Sequence, residues 1–80
     1  MYKADDYTYD TTWSQSDNQM VGICEEFPSL SYVGKTKAEA VDGIKDVVAT
    51  VLGFMYDDGE VPPIPNKYRN GALSSFALQA

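Results

Sequence analysis

Histidine is absent from this chain of 80 residues, and cysteine occurs only once, as Cys24. Without an imidazole, the chain has no histidine base to activate a nucleophile, and it also lacks the usual nitrogen ligand of zinc. A lone cysteine excludes an intrachain disulfide, which fits a reducing cytoplasm, and on a strand it is more often a small buried hydrophobic residue than a nucleophile. We therefore expect a protein that is not an enzyme and that needs no cofactor.

Basic residues are also scarce. Lysine and arginine number six against twelve aspartates and glutamates, which gives a net charge of -6. Proteins bind nucleic acid largely by placing lysine and arginine on phosphates, so this balance argues against direct nucleic-acid binding. A small basic protein is the kind of partner that the charge favours.

Long apolar runs are missing. No apolar run approaches the roughly 18–20 residues of a membrane-spanning helix. The acidic beginning, MYKADDYTYD, does not contain the apolar core of a signal peptide. From the sequence we expect a soluble, cytoplasmic protein that does not associate with membranes.

The length of the chain limits its core. A domain of this size buries only roughly 60–65% of the surface of its unfolded chain, so association with a second copy would help to complete the core. We expect one αβ domain over residues 1–60. Residues 61–80 would then form a Pro-rich exit segment and a C-terminal strand or tail of the same domain.

The first half of the sequence predicts an antiparallel meander of three strands. Residues 7–14 alternate in the period of two that is typical of a strand with one covered face. The polar turn at residues 15–19 leads into a second strand at residues 20–24, and Pro28 separates it from a short third strand at residues 30–33.

One long helix follows. Thr36 and Glu39 have the spacing of a capping box, which predicts a helix that begins at Lys37. Its end is predicted at Gly59, because glycine readily adopts the left-handed conformation that follows a last turn. The apolar residues that recur at spacings of three and four are Val41, Ile44, Val48, Val51, Leu52 and Met55.

The predicted helix is longer than the predicted sheet. Twenty-two residues span roughly 33 Å at 1.5 Å per residue, which exceeds the width of a three-stranded meander. We expect its C-terminal half to pack on something else, and a homodimer supplies the simplest partner. The run from Val61 to Pro65 is predicted to be an extended spacer that carries the chain away from the helix. The tail from Gly71 fits either a helix or a fourth strand, of which the strand is preferred.

Two interpretations of the acidic residues remain open. Asp10 on the first strand, together with Glu39, Asp42 or Asp46 on the helix, is loosely similar to the carboxylate set of a metal-dependent nuclease. However, Glu39 is accounted for by the cap, and the other two fit a solvated helix face. The main prediction is therefore that no metal binds.

The second interpretation is a docking surface for a basic protein. Aromatic anchors surrounded by acidic residues suit that purpose, although in so small a domain aromatic residues also build the core. The predicted partner-binding residues are Trp13, Glu25, Glu26, Phe27 and Tyr32.

Several segments together resemble the HicB antitoxin family. They are Thr12-Trp13-Ser14, the E-F-P-S-L-S segment at residues 26–31, the T-x-x-E-A-x-x-G-I helix start at residues 36–44, and the Pro-Pro-Ile-Pro exit at residues 62–65. The resemblance implies a partly degraded ribonuclease H-like fold of order βββαβ, with no activity of its own. It also implies a partner, a small basic HicA-type toxin that cleaves messenger RNA.

The chain departs from many members of that family after the Pro-rich exit. Those members continue into a DNA-binding domain, whereas residues 72–78 of this chain contain neither lysine nor arginine. From this departure we expect an antitoxin-like module that does not itself bind an operator.

Overall fold

The computed structural model describes residues 1–69, so the predicted fourth strand in the tail lies outside the described residues. The described part is α+β. Its elements, in chain order, are a 3-10 turn at Ala4–Asp6, strands β1 at Tyr9–Ser14, β2 at Gln19–Cys24 and β3 at Phe27–Gly34, and helix α1 at Lys37–Asp58. A further helical turn begins at residue 66. No described helix combines the length and the apolar character needed to cross a membrane.

The three strands form one antiparallel sheet in the order β1-β2-β3, as the sequence predicts. Thr11 pairs with Gly22, and Gly22 pairs with Tyr32 on the other side. The third strand begins at Phe27, three residues earlier than predicted, and therefore includes Pro28. An edge strand tolerates proline because one of its sides has no neighbouring strand that needs an N–H donor.

Helix α1 packs across one face of this sheet. A Cβ atom added to Gly22 would meet the backbone of Ala40, and one added to Gly43 would meet the ring of Tyr32. The glycines therefore allow the helix and the sheet to approach closely. The buried core between them consists of Tyr7, Cys24, Phe27, Ile44, Val48 and Leu52.

Helix α1 begins and ends at the residues that the sequence predicts. Thr36 Oγ1 accepts a hydrogen bond of 3.1 Å from the Glu39 N–H, which is the threonine half of the predicted capping box. Gly59 follows the last turn with φ 74°, and its N–H donates to the carbonyls of Met55 and Tyr56. Both predicted boundaries of the helix are confirmed.

The C-terminal half of α1 is covered by the beginning of the chain. Tyr2 and Ala4 pack against the core, and the Tyr2 N–H donates a hydrogen bond of 2.7 Å to Tyr56 Oη. Val51 and Met55, which suggested a second copy, are partly buried inside the chain. The helix does reach beyond the sheet, but residues from the same chain meet it there.

The Pro-rich run does not lead away from the domain, so the prediction of a spacer is corrected. It returns across Tyr7, whose Oη donates a hydrogen bond of 2.8 Å to the carbonyl of Pro63. Pro62 and Pro65 are buried, and the ring of Tyr68 stacks on Tyr2 with centroids 5.9 Å apart. We call residues 61–68 the return segment. The prolines keep the backbone of this segment extended. Because they are also apolar, the segment folds back and buries them against the domain.

Candidate interaction surface

The sheet has a second face that α1 does not cover. Side chains alternate along a strand, and directly paired antiparallel residues share a face. Because Gly22 faces the helix, its neighbours Val21 and Ile23 face the other way. Val33, which pairs with Val21, is on their side and is 43% exposed. We call this side of the sheet the open face, and no other described strand or helix packs on it.

The centre of the open face is apolar and its surroundings are polar. Val21 and Ile23 are half-buried, and they lie beside Val33. Besides Val33, the edge-strand residues that pair with Val21 and Ile23 are Asp10, Thr12 and Ser31, all of which are exposed. An apolar centre with a polar rim is the usual composition of a surface that binds another protein.

The meander has a single sign of charge. Residues 9–34 include Asp10, Asp17, Glu25 and Glu26, whereas the same stretch contains no lysine or arginine. All six basic residues lie before it or after it in the sequence. The sheet therefore offers a basic protein an attractive electrostatic surface with no cation on its strands.

The two exposed aromatic residues of the predicted surface lie on different edges of the sheet. Trp13 is on β1 and is 49% exposed, while Tyr32 is on β3 and is 43% exposed. Both are on the side that carries α1, because Trp13 pairs with Met20 and Tyr32 pairs with Gly22. Strand β2 and the helix separate them, so they do not form one patch.

The other three predicted residues lie at the turn between β2 and β3, at the end of the sheet away from Trp13. Phe27 is only 9% exposed and packs edge-on against Tyr7 with ring centroids 5.2 Å apart, so its side chain belongs to the core. Glu25 is exposed and accepts a hydrogen bond of 3.0 Å from Asn66 Nδ2. Of the three, only Glu25 remains available to a partner.

Glu26 organises the turn instead of lining an exposed surface. Its carboxylate accepts hydrogen bonds from the Thr8 N–H at 3.0 Å, from Thr8 Oγ1 at 3.0 Å and from the Asn66 N–H at 2.8 Å. Burial by itself would raise the pKa of Glu26, but the hydrogen bonds from Asn66 and Thr8 outweigh that cost and hold the pKa below its ordinary value. One carboxylate thus joins the beginning of β1 to the return segment.

The carboxylates of the predicted nuclease alternative are not brought together. Asp10 pairs with Ile23 and therefore lies on the open face, whereas Asp42 and Asp46 are exposed residues of the helix on the opposite side of the sheet. Among the described residues, no group of three or more histidine, cysteine, aspartate or glutamate side chains is arranged to hold a metal ion.

Cys24 is the remaining candidate nucleophile. It is buried on the helix side of β2, and burial raises the pKa of its thiol to about 11. At neutral pH the thiol is therefore protonated and poorly reactive. The sequence-based interpretation of Cys24 as a small buried hydrophobic residue is confirmed.

A shallow cavity of about 270 Å³ lies between the first residues of the chain and α1. Tyr2 and Ala4 line it from one side, and Ala49, Gly53 and Tyr56 line it from the other. The described lining of this cavity is mostly apolar.

Comparisons of the chain with models of known protein families, with curated proteins and with solved structures gave no match.

The central residues of the open face, Val21 and Ile23, are not among the predicted partner-binding residues. The signal is present in β2, where small residues occupy the alternate positions Gly22 and Cys24. A strand with small residues on one side and β-branched residues on the other indicates close helix contact on the first side and a broad surface on the second.

Proposed function

We propose that this chain is a HicB-like antitoxin module that sequesters a small basic HicA-type toxin and thereby blocks the cleavage of messenger RNA. The proposal includes the partly degraded ribonuclease H-like fold that the family resemblance implies. The three-stranded meander followed by one long helix is compatible with the first four elements of that fold.

The observation that supports the proposal best is the open face with its acidic surroundings. Val21, Ile23 and Val33 offer an apolar centre, and Asp10 and Glu25 lie near its margins without any basic residue on the strands. Apolar anchors supply most of the affinity of an interface, and surrounding charges steer the encounter and select the partner. A basic partner meets both conditions.

Inhibition in this proposal requires no chemistry from the chain. A nuclease that binds RNA through a basic surface loses its substrate when an acidic protein covers that surface. The carboxylates of the meander would take the place of phosphates at the rim of the contact, and the apolar residues of the open face would exclude water at its centre. The buried, protonated Cys24 and the separated carboxylates agree with a binding role.

The test measures binding to the product of the open reading frame that neighbours the gene of this chain, and the cleavage of a messenger RNA by that product. Wild-type chain should bind with a salt-dependent affinity and should stop cleavage at one equivalent. Val21→Lys places a charge in the centre of the open face, and we expect at least a tenfold loss of affinity, on the order of 1.4 kcal/mol.

Thr50→Lys is the matched control. Thr50 is exposed on α1, on the opposite side of the sheet from the open face. It changes the net charge by the same amount as Val21→Lys and should leave the affinity unchanged. If the neighbouring protein is neither small and basic nor bound by the chain, the proposed function is wrong. If both variants weaken binding equally, the open face is not the docking surface.

A further inference from the structure

Among the strands of the described residues 1–69, β1 forms an edge of the sheet with no neighbour on its outer side. The N–H of Glu25 donates a hydrogen bond of 2.9 Å to the carbonyl of Thr8, so Thr8 directs its backbone groups toward β2. In an antiparallel pair this direction alternates from residue to residue. The backbone groups of Tyr9, Thr11 and Trp13 are therefore directed outward, away from β2.

This edge lacks most of the features that normally prevent strands from pairing between molecules. Its one charge is Asp10, whose carboxylate accepts a hydrogen bond of 2.7 Å from the Thr11 N–H. Natural edge strands carry lysine, proline or a bulge. Strand β3, on the other edge, contains Pro28. Strand β1 reads YDTTWS, which has neither proline nor lysine, and its pairing with β2 is regular over all six residues. Trp13, at this edge, is half-exposed.

We propose that β1 pairs antiparallel with β1 of a second copy of this chain, so that two sheets join into one of six strands. The twofold axis passes midway between Thr11 of one copy and Thr11 of the other. In this register Thr11 lies opposite Thr11 of the second copy, and Tyr9 lies opposite its Trp13. The three residues whose backbone groups are directed outward then pair with one another, which is what an antiparallel ladder requires.

The side chains fit this register. Tyr9 and Trp13 are on the helix side of the sheet, so each exposed tryptophan ring gains a tyrosine ring as its cross-strand neighbour, and this occurs twice in the dimer. Asp10, the single charged residue of β1, lies opposite Thr12 and does not face its own copy. This self-complementarity favours a second copy over an unrelated strand.

The pairing has two consequences. Both helices lie on the same side of the joined sheet, and the two open faces become one continuous surface of twice the area. Each copy carries a net charge of -6, so the copies repel one another at long range. Added salt screens that repulsion, and the association should therefore strengthen with salt. This behaviour is opposite to that of the proposed binding of a basic partner, so the two proposals are tested separately.

The first experiment measures molar mass by light scattering between about 5 and 500 µM, at low salt and at 0.3 M salt. Wild-type chain should approach twice the monomer mass as concentration and salt increase. Thr11→Pro removes one outward N–H, together with its hydrogen bond of 2.7 Å to Asp10 Oδ1, without removing a bond to β2. It should shift the midpoint of dimerisation at least tenfold upward. Thr11→Val keeps the N–H and should dimerise as the wild type does. Thermal melts of both variants establish that they are folded.

Trp13→Lys gives a second measure in case Thr11→Pro does not fold. It removes the aromatic pair and places a cation at the edge, and it should weaken dimerisation at least tenfold. A monomer at all concentrations, or a dimer that neither variant weakens, would overturn the proposal.

A disulfide tests the register. Hydrogen-bonded pairs in antiparallel sheets have Cα atoms about 5.5 Å apart, a separation that a disulfide spans. Thr11→Cys should therefore form a covalent dimer on mild oxidation. Thr12→Cys, which lies opposite Asp10 in this register, should not. Cross-linking through residue 12 and not through residue 11 would contradict the proposed pairing.

Discussion

The two halves of α1 are held in different ways. Residues 37–48 rest on the sheet, where Gly22 and Gly43 let backbone and ring approach closely. Residues 49–58 reach beyond the sheet and are covered by the first residues of the chain, with Tyr2 bonded to Tyr56. The first half of the helix is held by close packing against the strands of the sheet. The second half depends on segments that come from the two ends of the described chain.

The difference shows how a short chain completes its core. The helix is too long for three strands, and residues 1–7, which the return segment holds in place, cover the apolar stripe of its second half. Phe54, on the same half, is 64% exposed. Polar contacts fix this arrangement, including the carboxylate of Glu26 and the salt bridge of 2.9 Å between Lys67 and Asp6. The homodimer remains a prediction, and the edge of β1 supports it independently of the helix.

The largest effect is expected where the first half of the helix meets the sheet. Gly22→Ala places a methyl group against the backbone of Ala40, so the helix must move away from β2. Overpacking of this kind costs about 2–3 kcal/mol of unfolding free energy. Urea denaturation followed by circular dichroism measures the loss. Val21→Thr changes the next residue on the open face and should cost no more than about 0.5 kcal/mol. Equal losses would contradict the assignment of the two faces.

A smaller effect, and one that depends on pH, is expected at Glu26. Glu26→Gln removes the charge that accepts hydrogen bonds from Thr8 and Asn66, and we expect a loss of about 1–2 kcal/mol at pH 7. Glu25→Gln is the matched control, since Glu25 is exposed and accepts one hydrogen bond from the Asn66 side chain. It should change stability by less than about 0.5 kcal/mol.

The pH dependence follows from the lowered pKa of Glu26 in the folded protein. A carboxylate with a lowered pKa stabilises the fold above its unfolded pKa, near the ordinary value of 4.5, and that contribution is lost as the pH falls through the folded value. The difference in stability between the wild type and Glu26→Gln should therefore be constant from neutral pH down to about 5.5 and should shrink at lower pH. A difference that grows in acid would show that the carboxylate does not hold the return segment.

Local patterns in the sequence were sufficient to predict the elements but not the way in which the ends of the chain close the core. The alternation over residues 7–14 and the cap at Thr36 involve neighbours in sequence. The structure confirms the cap and the first strand, which begins two residues later than predicted, at Tyr9. The bond between Glu26 and Asn66 joins residues 40 positions apart. The periodicity of apolar residues along a strand or helix does not predict a contact between residues so far apart in the sequence.

The candidate surface was predictable only in part, for the same reason. The acidic and aromatic residues near the meander led to the prediction of Trp13 and Tyr32 as surface residues, and both are exposed. The same composition also predicted Phe27, which is buried in the core, and Glu26, which accepts a hydrogen bond from the return segment. Composition identifies the kinds of residue that a docking surface needs, whereas pairing register decides which of them share a face.

The smallest expected effect is a gain in stability, and it allows the two halves of α1 to be compared directly. Gly53 lies in the second half, and an added Cβ would meet no described atom within 4 Å beyond its chain neighbours and the nearby backbone of the helix itself. Since glycine in a helix interior is less favourable than alanine by roughly 0.5–1 kcal/mol, Gly53→Ala should stabilise the chain by that amount. Gly43→Ala makes the same substitution in the first half and should destabilise it, because the ring of Tyr32 must move. Thermal and urea unfolding of both variants gives the comparison. Stabilisation by both would mean that Tyr32 does not pack on Gly43, and destabilisation by both would mean that the second half of the helix is more tightly covered than the described residues account for.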